Sequence, residues 1–595
     1  MYHVQVVPDR FRVYERTDVS VRIASDEPLT EAAEIEVQFP MSWTMDRCAS
    51  FTKQYQADDS AAPEFLKVTA PRTEARLEWR VEPRDFDTGE PETRHGRRVF
   101  ITLVEGEVPA GEPVIVEWRN TLASRRAETE IVHVAVNGER IEPMPEIITD
   151  PGDEVRLRVI APSSVRPGEE FEVRIVSLDA YDNASATWHR GDRLLGPDGE
   201  PISGPLYFQG VCLVPVALAE VGVHRLSYRG KVSNPIRVTE NPRGPYWGDT
   251  HIHTRWSQDG IGRFPYEYAR EVSGLDFAAV CDHAESAVLA WDHLVTLANL
   301  HNRPGEFVTL VAYENGLGAP SGHYNAYYRG DLGQCRLKPE FGGDIEKLNA
   351  MLDPEQAMTI PHHTGIFWGH SASGPTVDWA KLDERHSPVV EIYSHHGQSE
   401  RYQPDHVNAY EFNRWHKPGE RTNRSVPGHF SQDAWRMGKR LGVICSSDDH
   451  YGQGGLDFEG IAGVFAEGLT RQEIWDGIRA RSCYGTTGER ILLDLRVSGA
   501  EMGQEISGSP GDELTIEVEV HGTDALSRIE LVRLDLDSGE YLTALDERPY
   551  ELDFAATVTE RFAGPVMYYL RVQQEKMINH RGVFAWSSPI WVDAR

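Results

Sequence analysis

The chain is poor in the features that mark secreted, membrane-spanning or nucleic-acid-binding proteins. Its 595 residues include only six cysteines, Cys48, Cys212, Cys281, Cys335, Cys445 and Cys483, and no two form a C-x-x-C pair. That spread fits reduced thiols inside a cell and excludes a disulfide framework or a thiolate zinc cluster. No apolar run approaches the ~20 residues needed to span a bilayer. The opening Met1-Tyr-His-Val-Gln-Val-Val-Pro-Asp-Arg10 lacks a charged-then-apolar signal segment. A cytoplasmic protein with no membrane partner is expected, and the glycosylation patterns at Asn183-Ala-Ser185 and Asn423-Arg-Ser425 are then chance matches. Lys and Arg run no longer than pairs such as Arg97-Arg98. With 60 basic against 93 acidic residues and a formal charge of −33, the chain repels nucleic-acid backbones and anionic membranes. Nucleic acid is therefore not expected as a partner. Gly-x-Ser-x-Gly elbows and Gly-rich phosphate loops are also missing, which argues against a serine nucleophile or a P-loop.

What is present reads as several domains. A composition of 40% hydrophobic and 26% charged residues is that of an ordinary globular protein, and the length suggests about three or four domains. Residues 1–150 alternate, as in Val19-x-Val21-x-Ile23 and Ile35-x-Val37-x-Phe39, with a hairpin signal at Asn137-Gly138. They read as an N-terminal β-sandwich. Trp43, Trp79 and Trp118 could form a sugar-binding platform there, although core burial is the commoner fate of tryptophan. Residues 151–240 repeat the style, with Phe171, Val173 and Ile175 on one face and a turn at Pro197-Asp198-Gly199, and read as an immunoglobulin-like sandwich. Asn241-Pro-Arg-Gly-Pro245 is a linker. Residues 491–595 return to alternation, as in Leu514-x-Ile516-x-Val518-x-Val520, and read as a C-terminal β-rich domain.

Residues 246–490 differ from both flanks. Six apolar runs end there in residue types that bind divalent metals: Asp249 to His253, Asp282-His283, Glu314, His362-His363, Glu391, and Asp448-Asp449-His450. Short apolar runs read as buried strands of a parallel sheet. Barrel enzymes place their chemistry just past the carboxyl ends of such strands. Helical stretches near 265–272, 286–300, 345–352, 431–440 and 470–481 lie between the runs, so βα units are expected. Spacing alone does not separate a barrel from an open sheet. Imidazoles mixed with carboxylates suit Zn, Mn or Fe(II) better than Ca or Mg. The ligands outnumber what one ion can use, which points to two or three ions.

The order His251-x-His253-Thr254, Asp282-His283, a glutamate after one strand, a histidine after a later one, and Asp448-x-His450 resembles the polymerase and histidinol phosphatase (PHP) superfamily. Tyr246-Trp-Gly-Asp-Thr-His251, Leu275-Asp-Phe-Ala-Ala-Val280, Ala462-Gly-Val-Phe-Ala466, Leu469-Thr-Arg471, Tyr484-Gly-Thr-Thr-Gly488 and Ala585-Trp-Ser-Ser-Pro-Ile-Trp591 look like its DUF3604 branch. The resemblance runs from about Tyr246 to the end. It implies a (β/α)7 barrel over 246–490, flanked by the sandwiches and the C-terminal domain: a multidomain α/β plus all-β protein. It also implies one ion on His251, His253, Glu314 and Asp448, a second on Glu314, His323 and His362, and a third on Asp259, His283 and His450. The sequence departs from the family pattern in four places. Asp259 replaces a histidine of some relatives, and Cys281 stands where a threonine often precedes Asp-His. His363 stands where an asparagine often follows the ligand histidine, and Asp449 fills the middle of Asp-x-His.

Clustered cations deprotonate a shared water near neutral pH and neutralise charge growing on a phosphoryl or tetrahedral oxygen. The expected function is a metal-dependent hydrolase, first a phosphoesterase acting on a small anionic phosphate ester through a metal-bridged hydroxide. An amide, ester or lactone hydrolase is the alternative, and a non-catalytic glycan- or partner-binding protein the second alternative. Glu314 and Asp448 are the expected catalytic carboxylates, and His363 an extra ligand or an acid for the leaving group. Arg255 and Arg329 are candidates for gripping an anionic substrate group through guanidinium forks, with a solvated surface role as the plain alternative. His386, His395 and His396 read as scaffold histidines, Glu391 as a carboxylate holding a ligand imidazole, and Asp249 as either. A homo-oligomer is left open.

Overall fold

The computed structural model describes residues 1–44, 53, 55–82, 98–257, 259–316, 321–368, 376–412 and 423–595; Cys48 and Arg97 lie outside the described residues. The chain forms two compact units, each gathered from separate stretches. One comprises Met1–Arg156, Ser177–Trp188 and Thr254–Arg263; the other comprises Leu157–Val176, His189–His253 and Phe264–Arg595.

Alternation builds the layers of the first unit. The strand Arg16–Ser25 turns Val19, Val21 and Ile23 inward and pairs antiparallel with Tyr2–Val7 and Val114–Leu122 in a four-stranded sheet. Glu34–Gln38 turns Ile35 and Val37 inward within a five-stranded sheet. Both inward rows belong to one core that holds Trp43 and Trp118. These two tryptophans are fully buried and Trp79 is half-buried, so the expected sugar platform does not form. Asn137 and Gly138 both take positive φ, 53° and 78°, as a type I′ hairpin turn requires.

In the second unit, residues 170–176 pair antiparallel with Val211–Ala217 and bury Phe171, Val173 and Ile175. A thirteen-stranded sheet then dominates. Its site-bearing part runs in space through Ala357–His362, His323–Tyr328, Val308–Gly316, Phe277–Val280, Tyr246–Ile252, Ile461–Val464 and Cys483–Thr486. It continues without a break into Arg581–Ser587 and the C-terminal strands.

The expected (β/α)7 barrel does not form. Within the site-bearing part only Tyr246–Ile252 with Phe277–Val280, and Phe277–Val280 with Val308–Gly316, are parallel. Helices at 265–272 and 284–301 make those crossovers. Only residues 317–322 separate Gly316 from His323, fewer than the dozen or so that a parallel crossover needs. The His323–Tyr328 strand therefore returns antiparallel, and Ala357–His362 reverses again. Val389–Ser394 and Gly442–Cys445 pair in parallel in a sheet of their own. This pair meets the large sheet at a bridge between Ile252 and Asp449. No ladder closes on itself among the described residues, and strand outweighs helix.

The two sheets approach closely because a side chain is missing. A Cβ on Gly485 would lie 2.3 Å from Cys445 Sγ and 2.6 Å from Cys445 N. The Ala585–Trp591 stretch seals the same junction. Trp586 Nε1 donates to Glu400 at 3.0 Å, Val443 N donates to Ser588 Oγ at 2.9 Å, and Glu400 forms a buried ion pair with Arg571. No described helix is long and apolar enough to cross a membrane. Gly485→Ala is expected to cost about 1–3 kcal/mol, the usual penalty for overpacking a core. Urea unfolding checks this, and an unchanged midpoint would contradict the close approach.

Candidate metal centre

The site is assembled where strand ends from the two sheets face each other. His251 and His253 lie two residues apart at the end of the Tyr246–Ile252 strand, a spacing that puts both on one side. Asp249 braces this end by accepting the backbone N–H groups of His251 at 3.1 Å, Ser447 at 3.0 Å and Gly455 at 2.9 Å. Burial pushes its carboxyl up to about 7 against those donors. The opposing strand end is pinned by Asp448 N–H to His251 O at 2.8 Å and by His253 N–H to Asp449 O at 2.7 Å. Asp448 and His363 have φ of 57° and 31°. Non-glycine residues seldom adopt that region, and such strain tends to collect at functional sites.

Four donor atoms converge at this junction. His251 Nε2 lies 3.2 Å from His253 Nε2, 3.4 Å from Glu314 Oε2 and 3.4 Å from Asp448 Oδ1. His253 Nε2 lies 3.1 and 3.3 Å from the same two oxygens. A tetrahedral ion with arms of about 2.1 Å would set its donors about 3.4 Å apart. These five separations fit one coordination sphere. Glu314 also uses its other oxygen: Oε1 lies 2.9 Å from His323 Nδ1 and 3.1 Å from His362 Nε2, and His363 joins this group. A carboxylate facing two donor groups with its two oxygens has the geometry of a bridge. His283 Nδ1 stands 3.4 Å from Glu314 Oε2, and His253, His283 and His450 offer atoms within 4.8 Å of one another.

Glu391 Oε2 holds His251 Nδ1 at 3.1 Å, which leaves Nε2 to face the cluster. Glu391 Oε1, His323 Nε2 and His362 Nδ1 are buried without a hydrogen-bond partner among the described residues. His386 is a scaffold residue, held by Asp383 and Leu352 O, each at 3.2 Å. Arg329 lies past the end of its six-residue strand remote from His323 and reaches Gln472 and Asp476 on the helix Arg471–Arg479. A strand of that length spans about 17–20 Å, so Arg329 is held at the end of the strand away from His323. Arg255 and Asp259 belong to Thr254–Arg263 of the first unit, where Arg255 stacks on Trp256 at 4.9 Å and Asp259 accepts the Ser257 hydroxyl at 3.0 Å.

Three further residues stand around Asp448. His395 and His396 were expected to be scaffold, yet each joins a group of donors around Asp448, and Glu411 supports His396 at 2.9 Å. The signal for the histidines was their position, just past the Val389–Ser394 strand that carries Glu391. Glu411 gave none, because it stands at the start of a helical segment and not at the end of a strand.

Comparison with known proteins finds a family match over the middle of the chain. The family described as "Protein of unknown function (DUF3604)" matches residues 278–459 and 453–508. A protein of Chlamydia muridarum (strain MoPn / Nigg), described only as uncharacterized, is 24% identical over 490 residues, 73% of this chain and 74% of its own length. One from Chlamydia trachomatis serovar D, described in the same way, is 24% identical over 496 residues, with the same coverage of both chains. Among solved structures, the Yersinia pseudotuberculosis adhesin InvE aligns with a TM-score of 0.15 and 11% identity over 40% of this chain and 59% of its own. That likeness is too slight to argue from.

The charges of the site follow from its burial. Burial opposes ionisation of Glu314, but His283, His362, His251 and His253 hold it well below the ordinary carboxylate range. Burial also opposes ionisation of Asp448, which His251, His253 and His396 likewise hold low. Burial disfavours a charged His251, yet Asp448, Glu391 and Glu314 raise it well above the usual imidazole value. Burial, reinforced by His362, His323 and His396, keeps His363 well below that value. In protein stripped by a chelator, Glu314 and Asp448 stabilise the fold above their ordinary values of 4.5 and 3.8, and that support is lost as pH falls through their lowered values. Protonated His251 stabilises below 6.5, and its support is lost as pH rises through its raised value. Thermal melts of the stripped protein should therefore weaken at both ends of the pH range. A midpoint that climbed steadily into alkaline pH would contradict these charges.

Proposed function

We infer that this chain, whose 278–508 stretch matches the DUF3604 family, is a metal-dependent hydrolase, most directly a phosphoesterase for a small anionic phosphate ester. The observation that carries the reading is the set of separations of 3.1 to 3.4 Å among His251, His253, Glu314 and Asp448. Ring nitrogens facing each other at 3.2 Å need a proton or a cation between them. The donor set of imidazoles and carboxylates suits two or three ions of Zn, Mn or Fe(II). His251, His253, Glu314 and Asp448 would hold one. Glu314, His323 and His362 would hold another, and His283 and His450 a third.

Divalent ions bound there supply a water deprotonated near neutral pH and positive charge for the oxyanion growing on the substrate. The protein's own groups set up the rest. Glu391 fixes the His251 tautomer so that its Nε2 lone pair faces the cluster. His363 has ring centroids 4.6 and 4.4 Å from those of His323 and His362, and burial among them keeps it neutral, with a ring lone pair free to bind an ion. Cys281 is not a rival nucleophile: burial holds its thiol protonated, and it donates to Thr250 O at 3.0 Å. The order of ligands along the chain supports kinship with the PHP superfamily, without that superfamily's closed barrel.

Arg329, turned onto the Arg471–Arg479 helix, brings no guanidinium fork to the cluster. That favours keeping a second reading, an amide, ester or lactone hydrolase, since a carbonyl requires no such clamp. Elemental analysis of purified protein together with a panel of phosphate esters, amides, esters and lactones tests both. Metal-dependent release of phosphate supports the first reading, and turnover confined to carbonyl substrates supports the second. The double variant His251→Ala/His253→Ala should lose bound metal and turnover, and full activity in it would remove the site from consideration. Glu391→Gln should weaken metal affinity or activity about 10- to 100-fold, and unaltered metal titrations would refute its orienting role.

A further inference from the structure

Asp448 divides its two oxygens between different neighbours. Oδ1 faces His251 and His253 at 3.4 and 3.3 Å, whereas Oδ2 lies 3.3 Å from His396 Nε2. The far nitrogen of His396, Nδ1, is 2.9 Å from Glu411 Oε1. A carboxylate gripping one ring nitrogen is how proteins fix the tautomer of a ligand imidazole. The same device recurs in this chain where Glu391 grips His251. With its proton on Nδ1, His396 points the Nε2 lone pair at a carboxylate oxygen, which is repulsive unless something positive lies between them.

A third donor decides what that is. His363 brings a ring nitrogen within 4.8 Å of the ligand atoms of both His396 and Asp448, with its ring centroid 5.3 Å from that of His396. A shared proton needs two partners, whereas a metal ion gathers three or more. Trp368 packs against both imidazoles, with ring centroids 5.5 Å from His363 and 5.2 Å from His396. His363 and Asp448 are also the two site residues held at positive φ. We propose that His363, His396 and Asp448 form a further divalent-cation position, oriented by Glu411 and open to an anionic oxygen of the substrate.

This position rests on reading the neighbouring centre as a metal site, and adds to it a set of ligands that the family order does not predict. Two imidazoles and one carboxylate suit Zn, Mn or Fe(II), and three protein donors leave a coordination position for water or substrate oxygen. Asp448 would then join the new position to the His251–His253 group, as Glu314 joins that group to His323 and His362.

The test measures ions per chain in full-length protein loaded with Zn or Mn and desalted, comparing wild type with His396→Gln and Glu411→Gln. The expected result is one ion fewer in His396→Gln with the others retained. In Glu411→Gln the affinity for that one ion should fall about 10- to 100-fold. If His396→Gln fails to fold, as judged by its melting curve, the Glu411→Gln titration decides. Wild-type protein that binds ions while both variants bind them equally would overturn this proposal and leave the neighbouring centre standing. Wild-type protein that binds no ion would overturn the neighbouring centre as well.

Discussion

Glu314, Asp448 and Glu391 are carboxylates almost cut off from water, and an ion buried without compensation costs several kcal/mol. Much of the surrounding architecture answers that cost. Imidazoles from several strand ends crowd within 3.4 Å of Glu314. The backbone near Asp249 and Asp449 is stitched by N–H donors that stop the strand ends from splaying. A cluster of divalent cations would satisfy the same carboxylates more fully than imidazolium groups can, because each ion accepts several donors at once.

This requirement explains the tolerance of open sheets at the site. Function needs strand ends that converge, and convergence does not require a closed ladder. The large sheet delivers His251, Glu314, His323 and His362, and the separate parallel pair delivers Glu391 and, just past Gly442–Cys445, Asp448. The two are held together by the bridge at Ile252 and Asp449, by the absent side chain of Gly485, and by Ser588 and Trp586 from the end of the chain. The C-terminal strands thereby support the site physically, since they continue its sheet.

Legibility differed with the range of the interaction. Inward rows such as Val19, Val21 and Ile23 were readable because a strand alternates its side chains every second residue. Helices after the first two site strands were readable from their spacing. The antiparallel return at His323 also has its cause in the sequence, a connection too short for a crossover, which a resemblance to a barrel family does not convey. Arg329 looked like a substrate contact because it follows His323 closely in sequence, yet a strand carries its two ends far apart.

The residue types at the strand ends were set by the sequence alone: histidine and carboxylate without clustered thiols, a donor set that would suit only nitrogen- and oxygen-loving cations whatever path the chain takes. Only the tertiary structure decided which of those side chains meet. It recruited His395, His396 and Glu411, aimed the two oxygens of Asp448 at different partners, and left the hydrogen-bonded circuit open. The physical reason is that donor chemistry belongs to a single residue, whereas convergence within a coordination sphere depends on the register and direction of strands far apart along the chain.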